Sequence, residues 1–205
     1  MAFSAGFHPH PKISYAGGAP TGAASEAEYL EISVVRELDP AAVRQSLDDA
    51  LPAGLDVLEV VVAGPGSLAD RLQASHWQIE LPGADPGSVG DAVTQLLAAD
   101  VAEVTRTIKS GPRTFDVRGP VLAAQVAECA RCAQAGHQPC AILDVVVRHT
   151  TPVVRPDDVL TALQSVTGFV PPRPIQATRL AQGPLTGDST RVADPLAADK
   201  DAAGR

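Results

Sequence analysis

Three helix starts, set between runs of β-forming residues, fix most of what this chain can fold into. Asp39-Pro40 and Asp85-Pro86 each place a capping carboxylate directly before a proline. Proline is suited to the first helical position because its missing N–H is not needed there. Arg155-Pro156-Asp157-Asp158 opens a third helix with acids in its first turn. Apolar residues then recur at helical spacing: Val43, Leu47 and Leu51, then Val89, Val93 and Leu96, then Val159, Leu160, Leu163 and Val166, with Gly168 as the stop. The intervening runs 29–35, 55–62, 77–81, 101–108, 141–149 and 175–180 are β-branched or alternate with period two, as strands do. Lys109-Ser110-Gly111-Pro112 turns the strand 101–108 back into 113–117 as a hairpin.

This order predicts an α+β fold. The second half runs strand, helix, strand with a hairpin, strand, helix, strand, the β-α-β-β-α-β order of a ferredoxin-like unit. The first half supplies only the later elements of such a unit. The expectation is therefore tandem ferredoxin-like units, the first lacking its opening strand and helix. Residues 1–66 form that incomplete unit and 67–75 a linker helix. Residues 76–182 form the second unit, with an inserted Cys/His loop over 119–140 that has a helical pattern in 120–130. Residues 183–205 are small, polar and acidic, the composition of a disordered tail.

Composition narrows the function classes. A hydrophobic share of 45% is ample for a core, yet aromatics are only 3%, with Trp77 the single tryptophan. A net charge of −8 argues against a protein that coats nucleic acid, DNA included, and leaves room for a local basic groove. No apolar run approaches the ~18 residues of a membrane span, and no leader pattern follows Met1. Three cysteines fit a reducing compartment better than a disulfide framework, so a cytoplasmic location is expected.

Three constellations carry chemistry. His8 and His10 alternate with prolines that favour extended backbone, which sets both imidazoles on one side of the chain with Lys12. Gly17, Gly18 and the following Ala-Pro-Thr-Gly permit close backbone approach to a ligand, and Glu28 adds a carboxylate. A polar ligand cleft and a purely structural crossing both satisfy that pattern. Arg106, Lys109, Arg113 and Arg118 crowd a hairpin poor in acids, a candidate grip on RNA phosphates or simply a solvated face. Cys129, Cys132, His137 and Cys140 present a C-x2-C-x4-H-x2-C array, the ligand types and tight spacing a zinc ion takes, although cysteines in a loop have no need of metal.

The run Gly6-Phe7-His8-Pro9-His10-Pro11-Lys12-Ile13-Ser14-Tyr15, with the Gly-Gly-Ala-Pro-Thr-Gly and Ser-Glu-Ala-Glu-Tyr-Leu that follow, resembles the signature of a bacterial radical SAM-linked family. The resemblance continues through Leu51-Pro52-Ala53-Gly54-Leu55, Lys109 with Phe115-Asp116-Val117-Arg118, and Arg155-Pro156-Asp157-Asp158. It implies a radical SAM protein as partner, which would carry the SAM and the iron–sulfur cluster, and it implies that this chain is an N-terminally shortened member. The expected role is an accessory module that binds RNA or presents a substrate in tRNA or rRNA modification. The alternative is a stand-alone enzyme with a His/Lys cleft at the signature.

Overall fold

The computed structural model describes residues 1–109, 111–128, 139–172 and 174–203, and it is a mixed α+β protein. In chain order its elements are β1 (Ile13–Ala16), β2 (Ala24–Ser25), β3 (Tyr29–Ile32), α1 (Pro40–Ala50), α2 (Leu68–Arg71), β4 (Ala74–Pro82), α3 (Pro86–Ala98), β5 (Glu103–Ile108), β6 (Gly111–Asp116), β7 (Val121–Glu128), β8 (Cys140–Arg148), α4 (Pro156–Thr167), β9 (Gln176–Gly183) and α5 (Ala197–Ala203). They divide into two units. One comprises Met1–Gly18, Tyr29–Asp70 and Pro195–Arg205, the other Ala19–Glu28 and Arg71–Asp194.

The second unit is built on a five-stranded sheet of order β2-β9-β4-β8-β7. β4 pairs antiparallel with β8, so that Trp77, Ile79 and Leu81 lie opposite Val145, Leu143 and Ala141 on one face. Val89, Val93 and Leu96 of α3 and Val159, Leu160 and Leu163 of α4 complete the core with that face. Each such aliphatic side chain contributes about 1.5–3 kcal/mol on full burial. The helix starts form as the sequence predicts: Asp39 Oδ1 accepts from Ala41 N at 3.2 Å, and Asp85 Oδ2 from Ser88 N at 2.8 Å. That bond, with a second from the Ser88 hydroxyl at 2.9 Å, holds the Asp85 carboxyl below its usual pKa. The other sheet face carries the half-buried His76, with Nε2 3.2 Å from Asp144 Oδ1.

The strand the sequence assigned to 113–117 does not enter this sheet. β5 and β6 stand as a separate antiparallel pair, and the place beside β8 is taken by β7. Residues 121–128 therefore correct the expectation of a helical pattern over 120–130. Their Ala-rich sequence has helical propensity, but a ladder from Val121↔Val147 to Glu128↔Ala141 supplies partners that override it.

In the first unit β1 and β3 form an antiparallel pair, with Ile13↔Ile32 and Tyr15↔Leu30 in register. The expected strand at 55–62 does not form. Val57 N donates to Asp48 Oδ1 at 2.8 Å and Val57 O accepts from Arg44 at 3.4 Å, so the segment bonds to side chains of α1 rather than to a neighbouring strand. The segment expected to be a disordered tail is likewise ordered over its described residues. Leu185 and Val192 form an antiparallel bridge, and α5 follows. Asp199 Oδ1 accepts Gly64 N at 3.0 Å, and Lys200 Nζ lies 2.6 Å from Glu59, contacts that composition alone does not reveal. Among the described residues no helix is long and apolar enough to cross a membrane.

Candidate functional site

A cavity in the second unit joins two stretches that the sequence keeps more than a hundred residues apart. It has a volume of about 570 Å³. Pro20, Thr21, Gly22 and Ala23 line one side, Arg155, Pro156 and Asp157 another, and Pro174, Ile175 and Ala177 the rest. The first wall is a turn, with Ala23 N donating to Pro20 O at 3.1 Å. Gly22 sits at φ +92°, a conformation that favours glycine over any residue with a Cβ. The chain then enters β2, which pairs parallel with Thr178 and Arg179 of β9.

The second wall is the start of α4. Asp158 Oδ2 accepts Arg155 N at 2.8 Å and Arg106 Nη1 at 2.5 Å. Arg106 also donates to Val153 O at 3.2 Å, and its guanidinium lies 5.1 Å from the Phe115 ring centre. The hairpin β5–β6 and the start of α4 are thereby tied together. Burial pushes the Asp158 carboxyl up, against the opposing pull of the Arg155 N–H and the Arg106 charge. The N–H groups of Asp158 and Val159 both turn to Arg155 O, so they are satisfied within the helix. Arg155 and Asp157 are the charged residues of this wall, with Pro156 between them in the chain.

The first wall is held by a buried arginine. The Arg179 side chain is 3% exposed, and its guanidinium donates to Ser25 Oγ at 3.2 Å, Gln182 Oε1 at 3.4 Å and Glu28 Oε1 at 2.5 Å. It also lies 5.6 Å from the Trp77 ring centre. Gln182, fully buried, donates to Ala27 O at 2.7 Å. Residues 25–28 are thus fastened to β9, and the turn 20–23 is carried with them. Nearby in the same unit, His149 Nδ1 lies 2.7 Å from Leu72 O and its Nε2 2.7 Å from Ser75 Oγ. Burial, with the Arg179 charge adding to it, holds this imidazole below its usual pKa and hence neutral. A neutral ring satisfies both contacts, Nδ1–H donating to the carbonyl and Nε2 accepting from the hydroxyl.

The sequence profile of DUF2344, described as an uncharacterized protein conserved in bacteria, matches residues 1–156. The chain belongs to the DUF2344 family. Comparison with curated proteins and with solved structures gives no match.

In this DUF2344 protein the residues singled out from sequence scatter over several settings. The run that carries His8 and His10 is not continuously extended. Residues 5–8 bend, Gly6 has φ +128°, and Phe3 bridges Pro11 so that the run closes a hairpin with His10 N bonded to Ser4 Oγ. Both histidines are exposed, and neither lines the cavity. Lys12 lines a shallower depression of about 350 Å³ in the first unit, with Glu31 and Ser33. Gly17 and Gly18 precede the turn that forms the cavity wall, and Glu28 serves Arg179. Of the four basic residues, Arg106 is committed to Asp158, and Arg118 donates to Leu97 O at 3.0 and 2.9 Å and to Val121 O at 2.9 Å. Lys109 and Arg113 are exposed. Cys140 is buried at the start of β8, while Cys129, Cys132 and His137 lie outside the described residues. Among the described residues no cluster of three metal-ligating side chains occurs.

Sequence reasoning missed Arg179 and Gln182. They lie three apart on β9, opposite Trp77 and Ser75, and share a face only because the β4–β9 ladder is irregular between His76 and Trp77, so period-two alternation gave no signal for the pair.

Proposed function

We propose that this protein is an accessory module that presents a substrate to a radical SAM partner in RNA modification, with SAM and the iron–sulfur cluster on the partner. The observation that carries the proposal is the cavity between the Pro20–Ala23 turn and the Arg155-Pro156-Asp157 start of α4. Both stretches belong to the motifs that resemble the radical SAM-linked family. Among the described residues the lining holds Thr21, Arg155 and Asp157 as its polar residues and no histidine, cysteine or lysine, so it offers groups that hold and orient rather than a nucleophile with its base. A stand-alone enzyme built on His8, His10 and Lys12 has weaker support, because the two imidazoles line neither cavity.

RNA enters this proposal through Lys109 and Arg113 at the end of the β5–β6 hairpin, two exposed charges on a protein acidic overall. Two phosphate contacts support a weak, salt-sensitive grip and leave specificity to the cavity. We take the second unit to be ferredoxin-like, since β9-β4-β8-β7 is the order a β-α-β-β-α-β chain gives, with β5–β6 inserted. The first unit is taken as a partial counterpart, and the cytoplasm as the location.

Reconstitution with the purified partner tests the proposal. Wild-type protein stimulates the partner's turnover, and Thr21→Trp, which fills the cavity from an exposed position, removes the stimulation with the circular dichroism spectrum unchanged. Undiminished stimulation by Thr21→Trp, or turnover by the isolated chain, contradicts it.

A further inference from the structure

The cavity of the second unit is bordered by hydrogen-bond donors that the protein leaves unspent. Arg106, Arg118 and Arg179 of this unit each bond a carboxylate or a carbonyl. Arg155, which lines the cavity, makes no side-chain hydrogen bond among the described residues, and its charge reaches the buried Asp158 without an ion-pair contact. On the other wall the turn uses only Ala23 N, bonded to Pro20 O. The Thr21 hydroxyl and the Thr21 and Gly22 N–H groups make no hydrogen bond among the described residues. Pro156 has no N–H, and those of Asp158 and Val159 are bonded to Arg155 O, so these donors come from side chains and a turn rather than from the end of α4.

A planar guanidinium with a hydroxyl and backbone N–H groups suits an oxyanion with several acceptor oxygens, a phosphate above all. One phosphate is the limit, because Asp157 on the same wall repels a second. Pro156, Pro174, Ile175 and Ala177 are apolar lining, and about 570 Å³ is room for a ring and a sugar rather than for an ion alone. The Arg106–Asp158 pair fastens the β5–β6 hairpin, with its exposed Lys109 and Arg113, to the same end of α4, so further phosphates of a chain have cations to follow. Resting on the accessory role proposed above, we infer that the cavity holds one nucleotide of an RNA, its phosphate on the Arg155 guanidinium and its ring against the apolar lining.

Amide NMR titration of the full chain tests this with the four ribonucleoside 5′-monophosphates, the four nucleosides, inorganic phosphate and a trinucleotide built on the tightest monophosphate. A monophosphate binds saturably and shifts the Thr21 and Gly22 signals, while its nucleoside and inorganic phosphate each bind more weakly. Arg155→Gln weakens the monophosphate about tenfold, which is about 1.4 kcal/mol, and leaves the nucleoside unchanged. Arg148→Gln, at an exposed position of β8 outside the cavity, leaves both unchanged. The trinucleotide displaces the monophosphate. The inference is overturned if no monophosphate binds, if Arg155→Gln binds it like the wild type, if the Thr21 and Gly22 signals stay unmoved, or if inorganic phosphate binds as tightly. A monophosphate that the trinucleotide does not displace assigns the cavity to a free nucleotide and overturns it too. Failure to bind any nucleotide, with stimulation of the partner still lost in Thr21→Trp, removes this inference and leaves the accessory role standing.

Discussion

Replacing Arg179 with methionine separates its polar contacts from ordinary packing, because methionine keeps much of the apolar volume and removes every guanidinium contact. The Glu28 carboxylate is 47% exposed, so losing its cation leaves it able to rehydrate, and that pair is worth no more than the ~0–1 kcal/mol of a surface ion pair. The bond to Ser25 and the stacking on Trp77 add about 0.5–1 kcal/mol each. The larger cost falls on Gln182: its Oε1 is stripped of this donor inside a fully buried side chain, at about 1–3 kcal/mol. Arg179→Met therefore destabilises the second unit by about 2–6 kcal/mol, while Glu28→Gln costs under about 1 kcal/mol. Trp77, the only tryptophan and the ring beneath Arg179, reports unfolding of this unit by fluorescence in a urea titration. Amide exchange at Glu26, whose N–H donates to Arg179 O, rises in the methionine variant before global unfolding does. A loss below about 1 kcal/mol for Arg179→Met, or equal losses for the two variants, refutes the reasoning.

Other outcomes follow from the same contacts. Asp188 accepts from the Thr186 and Thr190 hydroxyls and from Thr190 N, which holds its carboxyl at about 2. Its folded pKa lies below the unfolded 3.8, so its contribution is complete above 3.8 and is lost as pH falls through about 2; a carboxyl NMR titration with a midpoint near 3.8 contradicts this. Neutral His149 contributes stability that is complete above its unfolded value of 6.5 and declines on acidification below it. His149→Asn shows a smaller decline in denaturation midpoint over that range, and an unchanged slope counts against the assignment. Arg118→Ala, which abandons the Leu97 and Val121 carbonyls, costs about 2–3 kcal/mol, whereas Arg113→Ala stays within about 0.5 kcal/mol. Filter binding of RNA separates the pair: Arg113→Ala lowers the salt slope by about 1, and no change there removes the hairpin from RNA contact.

The helix starts were legible because capping is local. Asp39, Asp85 and Arg155 each precede a proline, and the bonds form within four residues. The core strands β4 and β8 were legible because burial on a sheet leaves a periodic trace. β7 was not, since Ala123, Ala124 and Ala127 favour a helix until a ladder is offered. The segment 55–62 failed in the opposite sense: strand-like residues without a strand beside them take other partners. The basic cluster shows what residue type cannot carry. Arg106 and Arg113 are direct cross-strand neighbours, yet Arg106 is bound to Asp158 and Arg113 is exposed. Which arginine is structural depended on α4, which follows that hairpin only after two further strands. The cavity had the same dependence, because its walls are 132 residues apart from Ala23 to Arg155.

Photo-crosslinking during the partner's reaction tests the central claim most directly. A benzoylphenylalanine at Thr21 reports the cavity, one at His8 reports the signature hairpin, and one at Asp91, exposed on α3, serves as background. The account predicts a crosslink to the partner's substrate from Thr21 and none above background from His8. A crosslink from His8 with none from Thr21 contradicts it.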